Sequence, residues 1–72
     1  MIAIKGFKES KDSIFIVLDT EGIDELIDYL NFIKNESSMH LNVGNELSTD
    51  AEEIDSDMYV IPHIKIVNVD KF

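Results

Sequence analysis

Only one segment of this chain carries helical periodicity, and that limits the folds open to it. Between Asp19 and about Asn35, the residues Ile23, Leu26, Ile27, Leu30 and Ile33 fall at offsets 0, 3, 4, 7 and 10. That spacing predicts a single apolar stripe on a helix. Asp19 and Thr20 are both good N-cap residues, and Glu21, Asp24 and Glu25 place acids where the positive end of the helix dipole favours them. Tyr29 and Phe32 flank the stripe, and Asp24, Glu25, Asp28 and Asn31 form the polar side. Gly22 lies in the first turn, where the helix penalty of glycine is smaller than in the interior.

The rest of the chain reads as extended runs and turns. Ile2–Phe7 alternates, with Ile2 and Ile4 on one face and Ala3, Lys5 and Phe7 on the other. Ser13–Leu18 is dense in β-branched and aromatic residues and apolar on both faces, which predicts a central strand covered on both sides. The polar stretch from Lys8 to Asp12 is short enough to join these two runs in a hairpin. Met39–Val43 alternates, with His40 and Asn42 opposite Met39, Leu41 and Val43, and Gly44-Asn45 signals a turn. A last strand is expected over about His63–Val69, after Pro62, which lacks the N–H a central ladder needs.

The expected architecture is therefore α+β: a small antiparallel sheet of about four strands, in the order ββαββ, with one amphipathic helix packed on one face. The 72 residues make one domain. A domain of this size buries only ~60% of the surface its unfolded chain exposes, so its margin of stability is thin. No cysteine is present to add a disulfide or a thiolate metal site. With no second helix, the far face of the sheet would leave Phe7, Phe15, Val17, His40, Val67 and Val69 available for a twin or a partner.

Charge divides the chain into three parts. The formal net charge is −9. Residues 1–18 set three lysines against Glu9 and Asp12, a net of +1, and residues 58–72 set Lys65 and Lys71 against Asp70, again +1. Residues 19–57 carry twelve acids against Lys34, a net of −11. Such a field repels phosphates and anionic lipid and attracts basic partners, so neither nucleic acid nor a membrane is an expected partner. The densest acids are Glu46, Asp50, Glu52, Glu53, Asp55 and Asp57. They read either as a recognition surface for a basic protein, extended by Asp24 and Asp28 on the helix, or as a solvated loop that keeps the protein soluble. The calcium-loop pattern is absent from them.

Catalysis finds little support. His40 and His63 would meet if their strands pair, and with a carboxylate such as Asp57 they would resemble a metal or acid–base site. Their spacing is not that of metal ligands, however, and an ordinary structural or interface role is the plainer reading. No serine sits in a nucleophile elbow, and three scattered glycines build no phosphate loop. The expectation is a protein that is not an enzyme and needs no cofactor or metal. No apolar run reaches the ~18 residues of a membrane span, and the first residues lack the pattern of a signal peptide. The default expectation is a cytoplasmic protein.

The strand ending in Asp19-Thr20-Glu21-Gly22-Ile23, the Leu-rich helix after it and the following Met39-His40-Leu41-Asn42 strand together resemble the Immunity protein 32 family of bacterial polymorphic-toxin systems. The resemblance covers roughly residues 13–43. It implies a small cytoplasmic protein that neutralises a cognate toxin by binding it; the acidic middle of the chain makes a basic toxin domain the expected partner. The alternative is a structural or regulatory homodimer with no toxin partner.

Overall fold

A computed structural model of the chain describes residues 1–49 and 57–72. Among the described residues, five strands and one helix follow in order: β1 (Ile2–Phe7), β2 (Ile14–Leu18), α1 (Thr20–Ile33), β3 (Ser38–Asn42), β4 (Met58–Val60) and β5 (His63–Val67). The class is α+β with antiparallel pairing, as expected. The strands form two sheets instead of one, a three-stranded sheet in the order β2-β1-β4 and a two-stranded sheet of β3 and β5. Pro62 is the reason for the extra strand. It breaks the apolar run from Met58 into β4, which pairs with β1, and β5, which pairs with β3.

The β1–β2 hairpin forms with Ile4 opposite Ile16. The central strand is β1, however, and not β2. Ile2, Ala3, Ile4 and Lys5 are all buried, whereas Ile14, Phe15 and Ile16 on β2 are 58%, 47% and 54% exposed. The small residues of β1 explain the reversal. Ala3 occupies little space on one face, and on the other Gly6 lets the Tyr59 ring of β4 lie directly over the backbone. Strand β2 is richer in apolar side chains, yet it is left at the edge. The Lys5 ammonium is buried with its strand and donates to the Thr49 carbonyl at 3.3 Å.

The core gathers Ile2 and Ile4 of β1, Leu41 of β3 and Leu47, with Leu18, Leu26, Tyr29, Met39, Ile64 and Ile66 packed around them. The alternation in the second sheet is as the sequence implied. Register sets Met39 against Ile66 and Leu41 against Ile64 on the core side, and His40 against Lys65 and Asn42 against His63 on the outer side.

Helix α1 starts where Asp19 caps it, the Asp19 carboxylate accepting from the Gly22 N–H at 2.7 Å. Its buried face differs from the expected stripe. Gly22, Leu26, Tyr29 and Ile33 turn inward, while Ile23, Ile27 and Leu30 remain about half exposed. Gly22 sets this rotation. The helix meets β1 so closely that a Cβ there would stand 2.7 Å from the Met1 carbonyl carbon, and nearer still to its oxygen. The far end is held by Asn68, whose side-chain amide donates to the carbonyls of Ile33 (2.9 Å) and Lys34 (3.4 Å). These are carbonyls that a helix end leaves without internal partners. The same commitment ends β5 at Val67, short of the expected Val69. Among the described residues, no helix is long and apolar enough to cross a membrane.

Candidate functional site

Three surfaces can be built from the residues singled out by sequence, together with one that was not foreseen. The first is acidic. Glu21, Asp24, Glu25 and Asp28 project from the outer side of α1, all exposed. Among the described residues the only ion pair joins the Met1 amino group to the Asp19 carboxylate at 2.6 Å, so no lysine neutralises the helix acids. Glu46 plays a local part: its Oε1 accepts from the Asn42 N–H at 3.0 Å, closing the turn that Gly44 makes with φ 93°. Asp57 stands exposed at the head of β4, where its carbonyl accepts from the Lys8 N–H at 2.7 Å. Asp50, Glu52, Glu53 and Asp55 lie outside the described residues.

The second surface is the outer side of the β3–β5 sheet. His40 and His63 do meet. Their rings stack with centroids 5.0 Å apart, and His40 Nδ1 lies 3.2 Å from His63 Nε2. His63 Nδ1 lies 2.6 Å from Asn42 Oδ1. Because that oxygen only accepts, His63 Nδ1 carries a proton and donates it. In the contact between His40 Nδ1 and His63 Nε2 one ring nitrogen donates and the other accepts, the direction depending on the tautomers. Lys65 is the cross-strand neighbour of His40, which brings a cation to the pair in place of a carboxylate. Among the described residues, no group of three or more His, Asp or Glu side chains is placed to hold a metal ion. The arrangement is a hydrogen-bonded pair that joins two strands.

The third surface is the apolar face expected of a single sheet, and its residues divide between the two sheets. Phe7, Phe15 and Val17 share one face of the β1–β2 hairpin, where the Phe7 and Phe15 rings meet edge to face at 4.8 Å. His40 and Val67 share the outer face of the β3–β5 sheet, and Val69 lies beyond the end of β5.

The unforeseen apolar surface has two parts, one on the edge strand and one on the helix. On β2, Ile14 and Ile16 point to the same side of the sheet as the core residues Ile2 and Ile4. On α1, Ile23, Ile27 and Leu30 form an apolar flank beside the buried line of Gly22, Leu26, Tyr29 and Ile33. Tyr29 orients that flank. Burial raises the Tyr29 phenol above its ordinary value, and the carboxylates of Glu25, Glu46 and Asp28 raise it further. The Tyr29 and Glu25 side of the helix therefore lies toward the Glu46 turn, and Ile23, Ile27 and Leu30 lie on the opposite flank of the buried line, about half exposed. The signal in the sequence was an excess. Ile23, Leu26, Ile27, Leu30 and Ile33, widened by Tyr29 and Phe32, span more of the helix than one packed face can cover.

No protein-family model matches the chain, and no curated protein or solved structure matches it.

Proposed function

We propose that this protein is a binding module of the immunity type, which neutralises a basic toxin domain by docking on it. The observation that carries this reading is the charge distribution: residues 19–57 hold a net of −11, and the helix acids Glu21, Asp24, Glu25 and Asp28 stand exposed. A surface of one sign accelerates encounter with a partner of the other and discriminates against partners of its own sign. Asp24 and Asp28, one turn apart on α1, stand exposed on the outer side of the helix, and Asp57 stands exposed at the head of β4. The resemblance of residues 13–43 to the Immunity protein 32 family supports the same reading and adds the cytoplasmic setting, where the cell that makes the toxin needs protection.

Catalysis plays no part in this reading. The two histidines act as a strand-to-strand contact, and the protein works without cofactor or metal. The test is capture of a basic toxin domain encoded beside this gene, followed by binding across a salt series. The expected result is a complex that weakens steeply with ionic strength and weakens again in the Asp24→Asn/Asp28→Asn variant. A complex indifferent to both salt and these substitutions would overturn the charge-based reading.

A further inference from the structure

We infer that His40 and His63 form a two-imidazole site for a borderline divalent transition-metal ion, of the zinc, nickel and copper class, held between His40 Nδ1 and His63 Nε2. The inference stands apart from the toxin-binding reading, because none of the helix acids takes part in it and that reading needs no metal.

Register builds the site. Asn42 stands directly opposite His63, and His40 opposite Lys65, so the two histidines are diagonal neighbours on the outer face of the β3–β5 sheet. Diagonal neighbours in an antiparallel sheet lie within reach of aromatic side chains. The register is fixed, since a slip of one residue would turn Met39, Leu41, Ile64 and Ile66 out of the core. Strands also hold a site more exactly than loops do. Both rings are exposed, so an ion reaches them from solvent.

The separation of the two nitrogens carries the inference. At the usual zinc–imidazole distance of about 2.0–2.1 Å, the 3.2 Å between His40 Nδ1 and His63 Nε2 subtends about 100° at the ion. That angle lies between the right angle of tetragonal copper and nickel sites and the tetrahedral angle of zinc. The nitrogens therefore already stand at the spacing a metal requires. Each ring has only to turn its lone pair from the other nitrogen toward the ion, a motion that exposed side chains make readily.

Asn42 supplies the second part of the site. A ligating histidine almost always donates its other ring N–H to a fixed acceptor, which sets the tautomer and aims the ring. His63 does this, its Nδ1 donating to Asn42 Oδ1 at 2.6 Å. In the neutral ring the lone pair is then on Nε2, the nitrogen that faces His40. Asn42 is itself anchored, its N–H donating to Glu46 Oε1 at 3.0 Å. The proton between His40 and His63 gives way to the ion. In a neutral pair it moves to His40 Nε2; in a singly charged pair it leaves for water.

The donor set selects the kind of ion. Imidazole nitrogen suits zinc, copper and nickel, whereas calcium and magnesium take oxygen. Among the described residues no third His, Asp or Glu joins the pair, so water fills the remaining positions and the ion exchanges freely. Lys65, the cross-strand neighbour of His40, holds its ammonium over the Phe72 ring, 5.6 Å from the centroid. The net charge of −9 draws cations to the chain as a whole.

Titration of the full chain with zinc chloride and, separately, nickel chloride tests the inference, read by calorimetry, thermal melting and the nuclear magnetic resonance of the ring nitrogens. The expected result with zinc is one ion per chain, with His40 Nδ1 and His63 Nε2 shifting while His63 Nδ1 keeps its proton. Nickel is expected to bind at the same two histidines. The Tm should rise with the ion, the ratio of folded to unfolded chain growing about 100-fold at roughly 100 times the dissociation constant. Magnesium chloride is expected to do none of this. His40→Gln and His63→Gln should each abolish binding, with far-ultraviolet circular dichroism unchanged, and Asn42→Ala should weaken it about 10–100-fold. A parent chain whose ring nitrogens do not shift at ~1 mM zinc, where even weak binding registers, overturns the inference, and that reading needs no variant to fold. So does binding that survives both histidine substitutions, which marks an adventitious ion only. Capture of a basic toxin domain in the presence of a chelator leaves the proposed function standing whichever way the metal site falls.

Discussion

Replacing Gly22 with alanine pits two physical effects of opposite sign against each other. On helix propensity alone the change stabilises, since alanine in place of glycine gains about 1 kcal/mol in a helix. Packing points the other way. The new Cβ would stand 2.7 Å from the Met1 carbonyl carbon and closer to its oxygen. That obstacle is backbone, tied to the Asp19 N–H at 3.3 Å and continuous with the buried Ile2. It cannot swing aside as a side-chain end can. Forcing an extra carbon into a well-packed place costs about 1–3 kcal/mol, and losing the Asp19–Met1 backbone hydrogen bond costs about 1 kcal/mol more. After the helix gain is subtracted, the expected net loss is about 2 kcal/mol, or roughly 10 °C in Tm for a domain of this size. Chemical denaturation and thermal melting of the two proteins would measure it. An alanine variant as stable as the parent, or more so, would refute the argument that helix α1 rests on the Met1 backbone through Gly22.

Other outcomes follow from the same structure. Asn68→Ala should destabilise by about 1–2 kcal/mol in urea unfolding, because two donors to the last turn of α1 are lost. Asn68→Asp should be worse, since its carboxylate would face the negative end of the helix dipole. Leu41→Ala, at a fully buried site beside Ile2 and Ile4, should cost about 2–5 kcal/mol. The pH profile has a sign fixed at both ends. The Met1 ammonium, hydrogen-bonded to its carboxylate, holds the Asp19 carboxyl below its ordinary range, with the Gly22 N–H adding to the effect, so that contribution is present above the usual carboxylate pKa and lost as pH falls through the depressed one. The Asp19 hydrogen bond raises the Met1 amino group above its ordinary value, so its contribution is full below about pH 8 and is lost as pH rises through the raised value. A melting-temperature series should therefore show the contact between these limits, and in Asp19→Asn both slopes should flatten.

Much of the fold was legible because local signals agreed with one another. The Asp19 cap, the helix after it, the β1–β2 hairpin and the alternation of Met39, Leu41, Ile64 and Ile66 each follow from spacing within a few residues. The pairing of β3 with β5, on which the meeting of His40 and His63 depends, was left open by the sequence and is set by the register of Met39 on Ile66 and Leu41 on Ile64. Sequence and structure part company where a choice depends on residues distant in the chain. Strand β2 looked central because it is the most apolar, yet the small Ala3 and Gly6 let β1 take that place. The buried face of the helix departs from the stripe its spacing implies because Gly22, a weakness in the first turn on propensity alone, is where the helix rests on the Met1 backbone. Asn68 looked like part of a strand, and only the position of the helix end made it a cap.

By itself, the sequence determined that this is a small α+β domain with one helix, no cysteine chemistry and an acidic middle between near-neutral ends, because composition and short-range periodicity do not depend on what packs where. Tertiary structure decided which strand is central, which side of the helix is buried and that two sheets form in place of one. Those are competitions between alternative packings, settled by side-chain size at Ala3, Gly6 and Gly22 and by the break at Pro62. The helix carries more apolar surface than one packed face can cover, and the tertiary structure decides that Ile23, Ile27, Leu30 and Phe32 carry the surplus.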